Sequence, residues 1–172
     1  GERRPFLPPL GLGHVAWADK KSIASYLDRA ASTLSESMRV YLKKALEVIR
    51  QRGYVVAANG KALRALRQTA MFPMDQRRDE AYWARVKQLI AELSEQEIQL
   101  LDFADMGSGG ISYISVPVFS PAGTVALELS LSGMPDNLTI EEIERYAERL
   151  RAAAAIVTGE PHGRAPDARL FR

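Results

Sequence analysis

The chain contains no cysteine. That removes disulfides, thiolate metal sites and thiol nucleophiles, and it fits a reducing, cytoplasmic setting. Histidine is almost missing as well. His14 and His162 stand far apart, so a histidine-built metal site is not expected. Charge of one sign is in short supply: 23 Lys and Arg against 21 Asp and Glu leave a net charge of +2. So small an excess makes no case for nucleic-acid binding by the chain itself. No apolar run reaches the roughly 20 residues that a membrane-spanning helix needs. No leader-peptide pattern opens the sequence, so no membrane partner is expected. There is no Gly-x-Ser-x-Gly elbow, and His14 has no carboxylate near it in sequence except Asp19. Neither a hydrolase triad nor a carboxylate pair stands out, so the chain is not expected to be an enzyme, and no catalytic residue or cofactor is assigned.

What is present is ordinary globular material: 172 residues, 47% hydrophobic and 26% charged, enough for one well-buried domain. The most informative stretch runs from Ile111 to Gly133. Two runs of β-branched and aliphatic residues flank Ser120-Pro121-Ala122-Gly123, the pattern of a β-hairpin. In the second run Val125, Leu127, Leu129 and Leu131 alternate with Glu128, Ser130 and Ser132. Strand alternation puts the aliphatic row on one face and the acid and hydroxyls on the other. The aliphatic row is expected to be nearly fully buried against helices.

Around the hairpin the signals are helical. The opening residues 1–13 are rich in Pro and Gly and lead into a helix start near Gly13. His14 to Ala31 reads as helix in two pieces meeting at Asp19. Ser35 to Arg52 has the three-four apolar spacing of an amphipathic helix, and Gly53 stands at its C-terminal cap. Tyr54 to Ala57 reads as a short strand, and Ile98 to Phe103 as an extended segment. Lys61–Ala70 and Glu80–Leu93 read as two further helices. Thr139 and Glu142 form a capping-box pattern before a last helix. Residues 159–172 read as a flexible tail. The chain opens on Gly1 rather than methionine, as a piece of a longer protein would.

Four segments resemble the effector-binding domain of the IclR family of bacterial transcription regulators. RPFLPPLGLGHVAWA resembles the loop that ends in a small-residue turn and starts a helix. LEVIRQRGY resembles the helix that ends in an Arg-Gly-aromatic step, ISVPVFSPAGTVALELSLSG the hairpin, and LTIEEIERYAERLRAAAAIVT the closing helix. They take up 65 of the 172 residues, in the family's order. The resemblance implies an α+β fold: a GAF/profilin-like antiparallel sheet with helices packed on one face, plus a helical insertion at about 59–93. Residues 1–158 would form the effector-binding domain. The family's upstream strands and its winged helix-turn-helix DNA-binding domain are not in this chain. The 56 residues from Val55 to Gly110 stand where the family has a short loop.

The resemblance also implies a site. Gly11, Leu12 and Gly13, at a helix start, would offer N–H groups to an anion. Ser130 and Ser132 would present hydroxyls from the sheet, with Ile111 and Tyr113 as cavity wall. Glu128 shares the serine face and would repel an acidic ligand unless paired. The ligand would be a small-molecule effector such as a small organic or aromatic acid. DNA would be met only through the absent domain, and the protein would be a homodimer or homotetramer. The alternative reading is a protein-interaction or scaffolding domain with no small-molecule ligand. Other candidates weigh less. Ser108 within Gly107–Gly110 precedes a strand, so it lacks the helix dipole of a phosphate cradle. Lys61, Arg64 and Arg67, with Arg77 and Arg78, read as a solvated or oligomer-facing surface, and Met71, Phe72 and Met74 as core.

Overall fold

The computed structural model describes residues 6–70, 79–92, 100–103, 106 and 110–166. In chain order the described elements are α1 (Leu12–Val15), α2 (Lys20–Asp28), α3 (Glu36–Arg52), β1 (Val55–Ala58), α4 (Lys61–Ala70), α5 (Glu80–Ala91), β2 (Ile111–Phe119), β3 (Val125–Ser132) and α6 (Ile140–Gly159). The fold is α+β.

Local chemistry sets most boundaries. α2, α3 and α5 each begin after a residue whose side-chain oxygen accepts an otherwise orphaned N–H. Asp19 accepts from Ser22 at 2.7 Å, Ser35 from Met38 at 3.1 Å and Asp79 from Tyr82 at 2.9 Å. At α6 the bonds are reciprocal: Glu142 N–H donates to Thr139 Oγ1 and Thr139 N–H donates to Glu142 Oε2. α3 ends at Gly53, which takes φ +83° and donates its N–H to Ile49 O at 2.8 Å. That left-handed conformation is open to glycine at no steric cost.

The sheet is antiparallel, in the order β1-β2-β3. Alternation along its strands feeds two cores. Val56, Ile114, Val116 and Val118 pack with Leu138 and with Ile143, Ala147 and Ala154 of α6. Val55 and Ala57 pack on the other face with Leu12, Val15 and Ala16 and with the α3 row Leu42, Leu46 and Ile49. Helices therefore cover both faces of the sheet, not one as expected. The described part of the insertion is helical. Leu66 of α4 and Tyr82, Val86, Leu89 and Ile90 of α5 join the α1–α3 core. Met71, Phe72, Met74, Arg77, Arg78 and Ser108 lie outside the described residues. Of the expected extended segment 98–103, Leu100 donates its N–H to Val56 O at 2.9 Å. Past α6 the chain turns back along the end of β2. Gly163 N–H reaches Thr158 O, and Arg164 N–H reaches Ser120 O.

One expectation about the hairpin is corrected. Val125 is buried, but Leu129 and Leu131 are only partly covered and Leu127 is 46% exposed. α6 turns the small residues Ala147 and Ala154 toward the sheet and sits mainly over the central strand β2. One helix is narrower than three strands, so the edge strand is left half covered.

This gradient of cover predicts a gradient of stability. Ile143→Ala, at a fully buried position, is expected to destabilise by about 2–5 kcal/mol. Thr139→Ala removes a cap at about 1 kcal/mol. Leu127→Ala should fall below both, and chemical denaturation of the three variants checks the order.

Candidate functional site

The hairpin's polar face is built by register. Tyr113 stands opposite Ser132, Ser115 opposite Ser130 and Pro117 opposite Glu128. These side chains share the face that carries Val55 and α1. Ser115 is buried, and its hydroxyl donates to Glu128 Oε2 at 2.8 Å. α1 closes over this pair. A Cβ at position 13 would lie 2.8 Å from the Glu128 carboxyl carbon and 3.0 Å from Val55 Cγ2. Only a residue without a side chain lets the helix come this close.

Burial pushes the Glu128 carboxyl above its ordinary range; the Ser115 hydrogen bond and nearby His14 offset this in part. Close by, burial holds the Tyr26 phenol well above its ordinary value, with Tyr113 and Glu128 acting in the same direction. Tyr26 is thus a neutral donor, and its hydroxyl reaches Leu10 O at 2.9 Å. That bond ties the loop before α1 to α2. Phe6 packs on Tyr26 and edge-on to His14, with ring centroids 5.5 and 5.7 Å away.

The seven sequence candidates do not all converge. Gly11 caps α1 beside the Phe6 ring, and Leu12 is buried in the α1–α3 core. Gly13 lies against Glu128. Ser130 and Ser132 are exposed on the same sheet face, and Tyr113 packs partly buried at its end. Ile111 points the other way, into the α6 core. The cause is the register shift between Ala57 and Ala58: Ala57 pairs with Tyr113 and Ala58 with Ile111, so Ser112 is the extra residue and alternation slips there. Glu128 does not stand open among the serines. It is paired with Ser115 and covered by α1.

Sequence reasoning missed a groove of about 640 Å³ at the far end of the sheet, lined by none of the seven candidates. Its floor is Val116, Pro117, Phe119 and Trp17, the last two rings edge-to-face at 5.2 Å. α6 forms one wall, with Arg151 at the rim. β1 has ended here, since Val55 pairs with Ser115 and the next turn of chain is Gly53. A proline in the middle of a strand was the available signal, because such a residue needs a side without a hydrogen-bonding neighbour. Lys61 and Arg64 are exposed on α4, with Arg64 Nη1 3.2 Å from Asn59 Oδ1. Among the described residues no group of acidic or histidine side chains could hold a metal ion, and no helix is long and apolar enough to cross a membrane.

Comparison with protein-family models, with curated proteins and with solved structures gives no match for this chain.

The buried acid predicts a pH dependence. A carboxyl raised in the folded state favours folding when protonated, so its stabilising effect fades as pH rises from the ordinary carboxylate value through the folded one. The melting temperature of the parent relative to Glu128→Gln should therefore fall as pH rises above the ordinary carboxylate range. Melting curves of both proteins through and above that range check the sign.

Proposed function

We propose that this chain is the small-molecule effector-binding part of an IclR-like bacterial transcription regulator, a cytoplasmic sensor and not an enzyme. The reading rests on the sequence resemblance and on one structural juxtaposition. The helix start at Gly13 and the hairpin face of Ser130 and Ser132, which the resemblance pairs around an effector, lie on the same side of one sheet. The close approach of Gly13 to Glu128 holds them there.

Each group has a stated part in this reading. Ser130 and Ser132 are free to donate to a carboxylate or accept from a ligand hydroxyl. Tyr113 supplies a flat apolar wall. Glu128 accepts from Ser115 and is covered by α1, so its carboxyl is engaged within the protein and not offered to a ligand over Ser130 and Ser132. The effector class is accordingly a small organic or aromatic acid. Signalling follows as a coupling free energy. A ligand that binds one arrangement of the sensor better shifts the population toward it, and a DNA-binding domain joined to the sensor responds to that shift.

The test is a thermal-shift screen with small organic and aromatic acids. A ligand at a hundredfold excess over its dissociation constant stabilises by about 2.7 kcal/mol. The Ser130→Ala/Ser132→Ala double variant should lose that shift while keeping the unliganded melting temperature, because both serines are exposed. An interaction domain without a small-molecule ligand predicts no shift with any acid. A shift that survives in the double variant would move the ligand off this face.

A further inference from the structure

Asn59 and Gly60 join β1 to α4. Three features meet at this pair. No side chain stands beside the Gly60 nitrogen, because the residue is glycine. Gly60 O accepts from Arg64 N–H at 3.1 Å, at the start of α4. The Gly60 N–H is one of the groups that a helix start leaves over, and among the described residues it has no acceptor. Finally, Arg64 Nη1 donates to Asn59 Oδ1 at 3.2 Å. An uncommitted amide nitrogen and a carbonyl held by a cation thus sit on adjacent residues. Both residues are half-buried, so water reaches them.

The chain has one other asparagine, Asn137, which serves as a contrast. Asn137 is the more exposed of the two, yet Leu138 follows it, with a branched side chain that is buried. That side chain crowds the backbone nitrogen next to Asn137. The Asn59 main chain, for its part, is fixed at a structural junction. Its N–H donates to Gly110 O at 3.2 Å, just past the last β1–β2 pair, Ala58 with Ile111. That bond joins the two ends of the insertion, whose Leu66 on α4 reaches the α1–α3 core.

We propose that Asn59 is a site of spontaneous modification, converting to aspartate and isoaspartate with Arg64 assisting. The Gly60 nitrogen gives its proton to hydroxide and bonds to Asn59 Cγ. The carbonyl π electrons move onto Oδ1, where the Arg64 guanidinium meets the growing negative charge. The carbonyl then reforms as the Cγ–Nδ2 bond breaks, and Nδ2 leaves as ammonia with a proton from water. A cyclic imide remains. Water opens it at one carbonyl to give aspartate, or at the other to give isoaspartate. One water is consumed and one ammonia released, with no oxidant or reductant. The new carboxylate lies beside Arg64 and at the N-terminal end of α4, where both the guanidinium and the helix dipole favour it. In isoaspartate the side-chain carbon joins the main chain, which lengthens the link between β1 and α4. The modified junction therefore resets how the insertion is held to the sheet. This site shares no residue with the ligand reading.

Peptide mapping by mass spectrometry of the full chain, incubated between neutral and mildly alkaline pH, tests this. Isoaspartate is read separately by enzymatic carboxyl methylation. Asn59 is expected to convert well ahead of Asn137, and faster as pH rises. Arg64→Gln should slow the folded chain about two- to fivefold, the scale of an exposed charge contact. In denaturant, where Arg64 is no longer held at Asn59, the same variant should match the parent. Added salt should slow the folded parent toward the variant. Gly60→Ala should slow conversion in both states. Circular dichroism checks that Arg64→Gln is folded; if it is not, the salt dependence of the parent decides. Four results overturn the proposal: Asn137 converting as fast as Asn59, folded Arg64→Gln as fast as the parent, an Arg64→Gln effect equally large in denaturant, or a parent rate indifferent to salt.

Discussion

The contact of α1 with the hairpin at Gly13, Glu128 and Ser115 is the constraint on which the candidate site depends. A carboxyl in a partly buried position is expensive unless something satisfies it. Ser115, buried on the neighbouring strand, donates to it at 2.8 Å. That bond fixes where the carboxyl lies, and the absence of a side chain at position 13 lets α1 settle against it. Tyr26 then ties the preceding loop to α2 through Leu10 O. The hydroxyls of Ser130 and Ser132 stay uncovered further along β3 because α1, only four residues long, ends its cover at Glu128.

The same geometry explains why the sheet is unevenly dressed. On one face α1 and α3 fill the space over β1 and β2. On the other α6 follows β2, seated by Ala147 and Ala154. Both layers favour the central strand, and β3 is left with half-covered leucines. At the opposite corner the early end of β1 leaves Pro117 and Phe119 flanked by α6 and Trp17, which opens the groove. Uneven cover is thus one cause with two consequences, a half-covered strand and an apolar groove.

Features that depend on a few neighbouring residues were legible in the sequence. The cap at Thr139, the Gly53 stop, the break at Asp19, the helix start near Ser35 and the Ser120–Gly123 turn all carry their partners within about four positions of chain. Alternation along β3 also placed Glu128, Ser130 and Ser132 on one face. Alternation says which residues share a face, however, and not how wide a helix lies above it, so the exposure of Leu127 was not readable. Ser112 slips the pairing of β2 against β1, and no residue type marks that slip, so Ile111 was set on the wrong side. A glycine that turns the chain and a glycine that meets a carboxyl from another strand are the same letter. Hence Gly13 was read as an anion site and not as a close contact with Glu128. The groove draws on Trp17, Gly53, Phe119 and Arg164, which only the fold brings together.

α1 docks on the hairpin through a fit between an absent side chain at 13 and the carboxyl at 128. A double-mutant cycle measures it directly, using chemical denaturation of the parent, Gly13→Ala, Glu128→Ala and the double variant. Overpacking at position 13 should destabilise the parent by about 1–3 kcal/mol. In the Glu128→Ala background, where the obstructing carboxyl is gone, the same substitution should have a much smaller effect. An equal loss in both backgrounds would show that Gly13 and Glu128 do not act on each other, and would contradict the account.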